Sequence, residues 1–276
     1  MEIAHHNKKK FVTDSLQDKH VDVVFPIFED ESIYFANHIQ ARPSDVILDI
    51  GTGSGILAIT AAKRAKHVTA LDIQSRALKF ASFNAYLNGV EDKITFVKSD
   101  GLAKIRGRFD VALFNPPFNP APKNLVGKIF SHGGDDGTYI TRKVFPKLPQ
   151  IIKARGYLQM ITFSLGKNNR PLIFDLVKKF LHKRNPETHY THLYPPVAHK
   201  KIGYFQKIFG SKYKPWYQKF DNYPQIFYMF LTIRFDSSRV GFYEKPSKIY
   251  FKQSKFSGNR EARIRRLRCV YRGICK

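Results

Sequence analysis

Cysteine is almost absent from this 276-residue chain: Cys269 and Cys275 are the two, both near its end and without a second Cys/His pair at metal spacing. Neither a disulfide framework nor a zinc site is thereby supported, no metal is expected, and the thiols read as ordinary and reduced. Long apolar runs are missing too. No window approaches the roughly 18 consecutive apolar residues of a membrane-spanning helix, and Met1 to Lys10 has no apolar stretch of the kind a secretory leader needs. The expectation is a cytoplasmic protein with no membrane partner. Acidic residues are the third shortage, 22 Asp+Glu against 47 Lys+Arg, for a formal charge of 47 − 22 = +25. That excess goes far beyond what solubility requires and points to a polyanionic partner. Composition that is 43% apolar and 14% aromatic still supplies a sizeable core, which excludes global disorder.

The charge is unevenly spread. Residues 1–40 carry 4 − 7 = −3, residues 41–165 carry 18 − 9 = +9, and residues 166–276 carry 25 − 6 = +19. No repeat of fixed period is visible, and the strongly biased stretches are an aromatic-basic segment from about Val197 to Tyr223 and the tail after Asp236.

Elsewhere strand and helix patterns alternate. Asp45 to Ile50 is a short apolar run ended by a glycine cluster, and Ile56 to Lys66 has helical spacing. Val68 to Asp72 is a second strand, Ser75 to Leu87 a helix stopped by Asn88-Gly89, Ile94 to Val97 a third strand and Phe109 to Phe114 a fourth. A helical pattern from Tyr139 to Lys153, a break at Arg155-Gly156, an apolar run from Tyr157 to Phe163 and an amphipathic helix from Arg170 to Lys183 continue the rhythm. The expectation is an α/β fold with a doubly wound, mostly parallel sheet, and the aromatic run Gln225 to Arg234 as a late antiparallel strand.

In such a sheet, ligands bind beyond the carboxyl ends of the strands, and the first strand-to-helix turn takes part. Here that turn is Gly51-Thr-Gly-Ser-Gly55, whose glycines let the backbone approach a ligand closely. The dinucleotide spacing G-x-G-x-x-G fails from Gly51, where Ile56 stands in the last position, and fits in its looser form from Gly53 to Ala58. Two carboxylates add discrimination: Asp49, two positions before the first glycine, and Asp72, 72 − 49 = 23 positions later at a strand end, where it can accept both ribose hydroxyl protons. That set suits an adenosine ligand without a pyrophosphate.

At Val46-Ile-Leu-Asp-Ile-Gly-Thr-Gly-Ser-Gly55 the chain resembles the Rossmann-like class I S-adenosylmethionine-dependent methyltransferases, over roughly residues 25–164. The resemblance implies S-adenosylmethionine as cofactor, with Asp49, Gly51, Gly53 and Gly55 at its methionine part, Asp72 at the ribose and Asp100 at the adenine amino group. Asp49 as a brace for its own loop, and Asp100 as a turn cap, are the competing readings.

The fourth strand ends in Asn115-Pro-Pro-Phe118 on the same sheet edge. Two prolines stop the strand and fix the direction of the Pro116 carbonyl. The lone pair of an amino group on an aromatic ring or acyl carbon is delocalised. The Asn115 amide oxygen and the Pro116 carbonyl can accept both of its N–H groups and favour a pyramidal nitrogen, by electrostatic preorganisation. Pro117 would line the substrate and Phe118 stack on it, and no strong general base is required. The motif resembles that of methyltransferases acting on adenine N6, guanine N2, cytosine N4 or a glutamine amide, the small-domain and HemK-like group. Residues 48–89 also look like the ribosomal-protein lysine methyltransferases, which lack the Asn-Pro-Pro-Phe element. A further stretch, His132-Gly-Gly-Asp-Asp-Gly137, is similar to a segment of HemK-like glutamine methyltransferases, and reads equally as a loop with Asp135 or Asp136 capping a helix. The roughly 44 residues before the first strand are too few for the helical domain with which those enzymes dock release factors.

Between Lys200 and Tyr223, six lysines (Lys200, Lys201, Lys207, Lys212, Lys214, Lys219) interleave with eight aromatics, Trp216 among them. Cations neutralise phosphates and aromatic faces stack unpaired bases, so Lys200, Lys201 and Trp216 are candidate substrate contacts; a local aromatic core ringed by solvated lysines is the alternative. Residues 259–268 hold five Arg and one Glu, 5 − 1 = +4, a helical RNA-binding tail or one of no specific role. The expected organisation is a segment at 1–44 closing over the cofactor, a methyltransferase domain at 45–235 with the insertion at about 197–224, and a basic extension at 236–276. The expected activity is methylation of an exocyclic base amine in RNA, ribosomal RNA foremost, adenine N6 ahead of guanine N2. The alternatives are a protein glutamine methyltransferase and a non-enzymatic RNA-binding protein.

Overall fold

The computed structural model describes residues 2–246 except 16, 17, 19, 26–29, 126 and 202, so Pro26, both cysteines and the arginine-rich tail lie outside the described residues. The chain opens with a hairpin, β1 (Glu2–His6) and β2 (Lys9–Thr13), then α1 (Asp30–Asn37). Next come β3 (Val46–Ile50), α2 (Ile56–Ala62), β4 (His67–Asp72), α3 (Ser75–Leu87), β5 (Ile94–Lys98) and β6 (Phe109–Phe114). The second half contains α4 (Tyr139–Val144), α5 (Leu148–Ile151), β7 (Ile152–Lys167), β8 (Arg170–Pro171), α6 (Leu172–Leu181), β9 (Glu187–Ala198), α7 (Tyr204–Phe209), α8 (Lys214–Tyr217), β10 (Gln225–Arg234) and β11 (Gly241–Glu244).

Among the described residues the main sheet runs β11-β9-β10-β7-β6-β3-β4-β5, with β8 paired to β7. The strands from β5 to β7 are parallel, and β10 lies antiparallel between β7 and β9, as expected for the late strand. Parallel strands covered on both faces need apolar residues in succession, and Ile47 to Ile50 are all buried. Alternate residues serve opposite faces: Ile47, Val68, Val111 and Phe163 join one core, and Leu48, Leu71, Ala112 and Met160 the other. The chain builds outward from β3 through β4 to β5, then returns to place β6 on the other side of β3. That reversal sets Ile50 beside Phe114 in register, so the glycine loop and the Asn-Pro-Pro-Phe loop leave the same edge as neighbours.

Three sequence expectations change, one of them the helix from Arg170 to Lys183, which begins only at Leu172 because Arg170–Pro171 pairs with β7. The helix anticipated over 139–153 breaks into α4, a 3-10 turn at Phe145–Lys147 and α5, and Ile152 and Lys153 already belong to β7. Pro146 and Pro149, which lack amide hydrogens, interrupt the ladder there. The Arg155-Gly156 break lies within β7, with Arg155 at φ 59°. The hairpin, α1, β9 and β11 carry no comparable sequence signal. No described helix is long and apolar enough to cross a membrane.

The hairpin is tied to the glycine loop by Asn84 of α3, which is fully buried. Its Oδ1 accepts from Val12 N–H at 2.7 Å, while its Nδ2 donates to the carbonyls of Val12 and Ser54, each at 2.9 Å. Asn84→Ala leaves the buried Ser54 carbonyl and the half-buried Val12 backbone groups without these partners and should cost about 1–3 kcal/mol. Urea unfolding checks this, and a loss below about 0.5 kcal/mol would show that water replaces the bonds.

Candidate active site

The glycine loop turns at the end of β3 with Gly51 at φ 74° and Gly53 at φ 55°, values that side chains rarely adopt. A Cβ on either would meet nothing within 4 Å, so this backbone faces open space. Gly55 has a different task, because a Cβ there would stand 3.1 Å from the Ala81 backbone, and it lets α2 pack against α3. Thr52 N–H donates to the Leu71 carbonyl at 2.7 Å, holding the loop against the end of β4.

The open space is a cavity of about 600 Å³, within the range of small-molecule sites. Gly51, Gly53, Asp72, Asp100, Asn115, Pro116, Pro117 and Phe118 all line it. Asp72 accepts from Gly53 N–H on one oxygen and from Gln74 N–H on the other, each at 2.9 Å, which aims its carboxylate from the end of β4. Burial pushes its carboxyl above the usual range. Asp100 is exposed and ion-paired with Lys143 of α4. Asn115 leaves its amide oxygen buried without a hydrogen-bond partner at the cavity wall. A buried acceptor of this kind carries a desolvation cost that a ligand N–H can relieve.

Asp49 stands behind the loop, outside the cavity lining. It is 1% exposed, and one oxygen accepts from the Thr52 hydroxyl at 2.6 Å and from Ala58 N–H at 3.1 Å. These bonds correspond to the bracing reading, while its second oxygen is buried and unpartnered. Phe118 is 4% exposed with its ring 5.7 Å from that of Tyr228, so little of its face is left open.

Lys200, Lys201 and Trp216 do not line the cavity. The lysines are exposed, Lys200 pairing with Asp221 at 2.9 Å. Trp216 departs from its expected stacking role: it is 8% exposed, packed edge-on against Phe205, Phe209 and Phe220, with no open face for a base. Tyr204, Phe205, Phe209 and Phe220 are buried with it, a local core surrounded by lysines.

The sequence places Phe25-Pro26 in a segment closing over the cofactor, with core packing as the alternative, and Phe25 does line the cavity. Sequence reasoning missed Val21, Glu31, Ile129 and Tyr139, which also line it. Ile129 N–H donates to the Val21 carbonyl at 3.0 Å and the rings of Phe25 and Phe130 lie 4.8 Å apart, so the N-terminal segment and the loop after β6 meet there. A tertiary contact between distant segments leaves no local pattern; the exposed apolar side chains Val21, Ile129 and Tyr139 are intelligible only as a rim.

A glycine platform, a strand-end carboxylate and an Asn-Pro-Pro-Phe loop at one reversal point define a class I S-adenosylmethionine-dependent N-methyltransferase. The cradle fits that cofactor: Gly51 and Gly53 leave room for close approach, and Asp72 faces the same space. The methyltransferase small domain family matches residues 28–161. A Methanocaldococcus jannaschii protein provisionally named protein N5-glutamine methyltransferase is 37% identical over 153 residues, 53% of this chain and 75% of that protein. The chain belongs to the methyltransferase small domain family. A release factor glutamine methyltransferase of Chlorobaculum tepidum is 41% identical over 92 residues, 31% of each chain, so the match spans under a third of that relative. In fold, the chain is similar to P. horikoshii TYW2, solved in complex with MeSAdo, with a TM-score of 0.53 at 17% identity over 85% of this chain and 71% of that one.

Burial pushes the Asp49 carboxyl from 3.8 up to about 7, against the opposing bonds from Thr52 and Ala58 and with help from the Asp72 charge. The folded protein therefore holds a proton that the unfolded chain releases, and stability falls as pH rises between those two values. Asp49→Asn keeps an acceptor and removes the titration. Without S-adenosylmethionine, its stability relative to the parent should gain up to about 4 kcal/mol between pH 4 and pH 8. Urea midpoints across that range measure it, and a pH-independent difference would contradict the assignment.

Proposed function

We propose that this N-methyltransferase acts in the cytoplasm on an exocyclic amino group of a base in RNA, ribosomal RNA foremost, with adenine N6 ahead of guanine N2. The observation that carries the chemistry is the buried, unpartnered amide oxygen of Asn115, on the wall shared with the glycine loop. When bound, S-adenosylmethionine supplies an electrophilic methyl group. Asn115 Oδ1 and the Pro116 carbonyl accept the two N–H groups of the substrate nitrogen, which frees its lone pair and stabilises the positive charge that develops; the methylated nitrogen would then lose one of those protons to solvent, with S-adenosylhomocysteine as the leaving group. The apolar walls exclude water and keep the two reactants close. Asp72 and the backbone of Gly51 and Gly53 hold the cofactor, with Asp100 at its adenine end. The segment before residue 45 closes over it, in keeping with Val21 and Phe25 in the cavity wall.

RNA is favoured by charge. The +25 total and the exposed lysines between Lys200 and Lys219 suit a phosphate backbone. The base must be unpaired or flipped to reach the cavity. A glutamine side-chain amide is the second reading, favoured by the Methanocaldococcus jannaschii relative's name. Both substrates present the same planar nitrogen.

Methyl label transferred from S-adenosylmethionine into separated RNA, DNA and protein fractions decides between them. Methyladenosine or methylguanosine in RNA supports the first reading, and label on glutamine replaces it with the second. Asn115→Ala should lower turnover about 10²–10³-fold and change S-adenosylmethionine affinity less than about twofold; equal losses in both would remove Asn115 from the reacting end. Replacing Lys201, Lys207, Lys212 and Lys214 by Gln should weaken RNA binding most at low salt. The slope of log affinity against log salt should fall by roughly 0.7 for each phosphate that is no longer neutralised, and an unchanged slope would take this surface out of the binding model.

A further inference from the structure

The Asn-Pro-Pro-Phe loop rests on a second loop. Gly133 N–H donates to the Asn119 carbonyl and Ala121 N–H to the Gly134 carbonyl, each at 2.9 Å. The two backbones touch: a Cβ on Gly137 would lie 2.4 Å from the Phe118 carbonyl oxygen, and one on Gly133 2.7 Å from the Phe118 carbonyl carbon. The segment 132–137 therefore sets where Phe118, and with it the turn from Asn115, can stand. Asp136 secures one end of this segment by accepting from Thr138 N–H at 3.0 Å ahead of α4.

Asp135 does something else. Its Oδ1 accepts the indole N–H of Trp216 at 2.7 Å, and its Oδ2 lies 4.0 Å from the Lys219 ammonium. Trp216 is fixed among Phe205, Phe209 and Phe220, in a cluster that leans on the sheet through the stacked pair Phe163 and Tyr204. One carboxylate thus joins the basic segment between β9 and β10 to the support of the acceptor loop. The link explains why a tryptophan, the chain's single one, stands at a buried position where phenylalanine would serve for packing alone.

We propose that Trp216 and Asp135 are positioning residues for methyl transfer: their indole-to-carboxylate hydrogen bond holds the 132–137 segment against Phe118 and thereby keeps Asn115 and Pro116 aimed at the substrate nitrogen. Neither touches the reacting atoms. The proposal rests on the N-methyltransferase site and not on the identity of the acceptor, since the same loop serves a base or an amide. A displacement of about 1 Å at a reacting group can cost on the order of 10²-fold in rate, so one hydrogen bond at this distance matters to turnover before it matters to folding.

The test uses the full chain with Trp216→Phe, which keeps an aromatic ring and removes the N–H. Hydrogen exchange followed by mass spectrometry should show residues 115–139 exchanging about tenfold faster, the equivalent of one hydrogen bond, with the glycine loop at 49–59 unchanged. Methyl transfer, into whichever of unfractionated RNA or protein takes label from the parent, should fall about tenfold, while the KM for S-adenosylmethionine stays within about twofold. Asp135→Ala should reproduce both effects, and Asp135→Asn, which keeps the acceptor oxygen, should restore parent behaviour. The double variant Trp216→Phe/Asp135→Ala should be no worse than either single one. Unchanged exchange over 115–139, acceleration throughout the chain, or additive losses would each overturn the proposal. The exchange measurement needs no acceptor, so its outcome is separate from the choice between RNA and protein.

Discussion

The register of two parallel strands governs the chemistry of this molecule. Ile50 of β3 and Phe114 of β6 are paired neighbours, and their side chains enter the same core. Parallel strands run out at the same edge, so the loops that continue them must share that edge. The loop after β3 is a glycine turn, and the loop after β6 begins with Asn115 and a pair of prolines. The first gives a backbone that a ligand can approach; the second gives a carbonyl that cannot swing away. Slip the register by one residue and the alternation of Leu48 and Ile50 with Ile47 would be inverted, which the two packed faces forbid.

Charge and aromaticity are separated in the second half of the chain. Between β9 and β10 the aromatic side chains turn inward, Tyr204 stacking near Phe163 of β7 and Trp216 enclosed by phenylalanines, while the lysines remain at the surface. His199 fastens the ends of this segment, its Nε2 within hydrogen-bond distance of the Phe220 and Tyr223 carbonyls at 3.1 and 3.0 Å. The result is a small satellite core with a cationic surface. Trp216 of this core donates its indole N–H to Asp135, in the loop that packs against Phe118.

Much of the catalytic core was legible in the sequence because its signals are local. β6 and α3 have the bounds that their apolar spacing and stop signals indicate, Phe109–Phe114 and Ser75–Leu87. Gly51, Gly53, Asp72 and Asn115 lie around one cavity, as their places at strand ends imply. Local signals failed where two effects compete over a few residues. The helical spacing over 139–153 was real, but Pro146 and Pro149 divide it. The alternation of lysine and aromatic residues fitted a stacking surface and a small core equally well, and burial decided for the core at Trp216.

The sequence by itself determined the parallel strands from β3 to β7, the late strand β10, the glycine turn and the nitrogen chemistry, because strand periodicity, glycine freedom and proline rigidity are properties of a few adjacent residues. Only the tertiary structure decided that Asp49 braces the loop from behind, that Gly55 packs against Ala81, and that the segment around Val21 meets the loop at Ile129. The same holds for the meeting of Asp135 with Trp216 across 81 positions of chain. Such pairings depend on the path of the whole backbone, and no short window of sequence contains both partners.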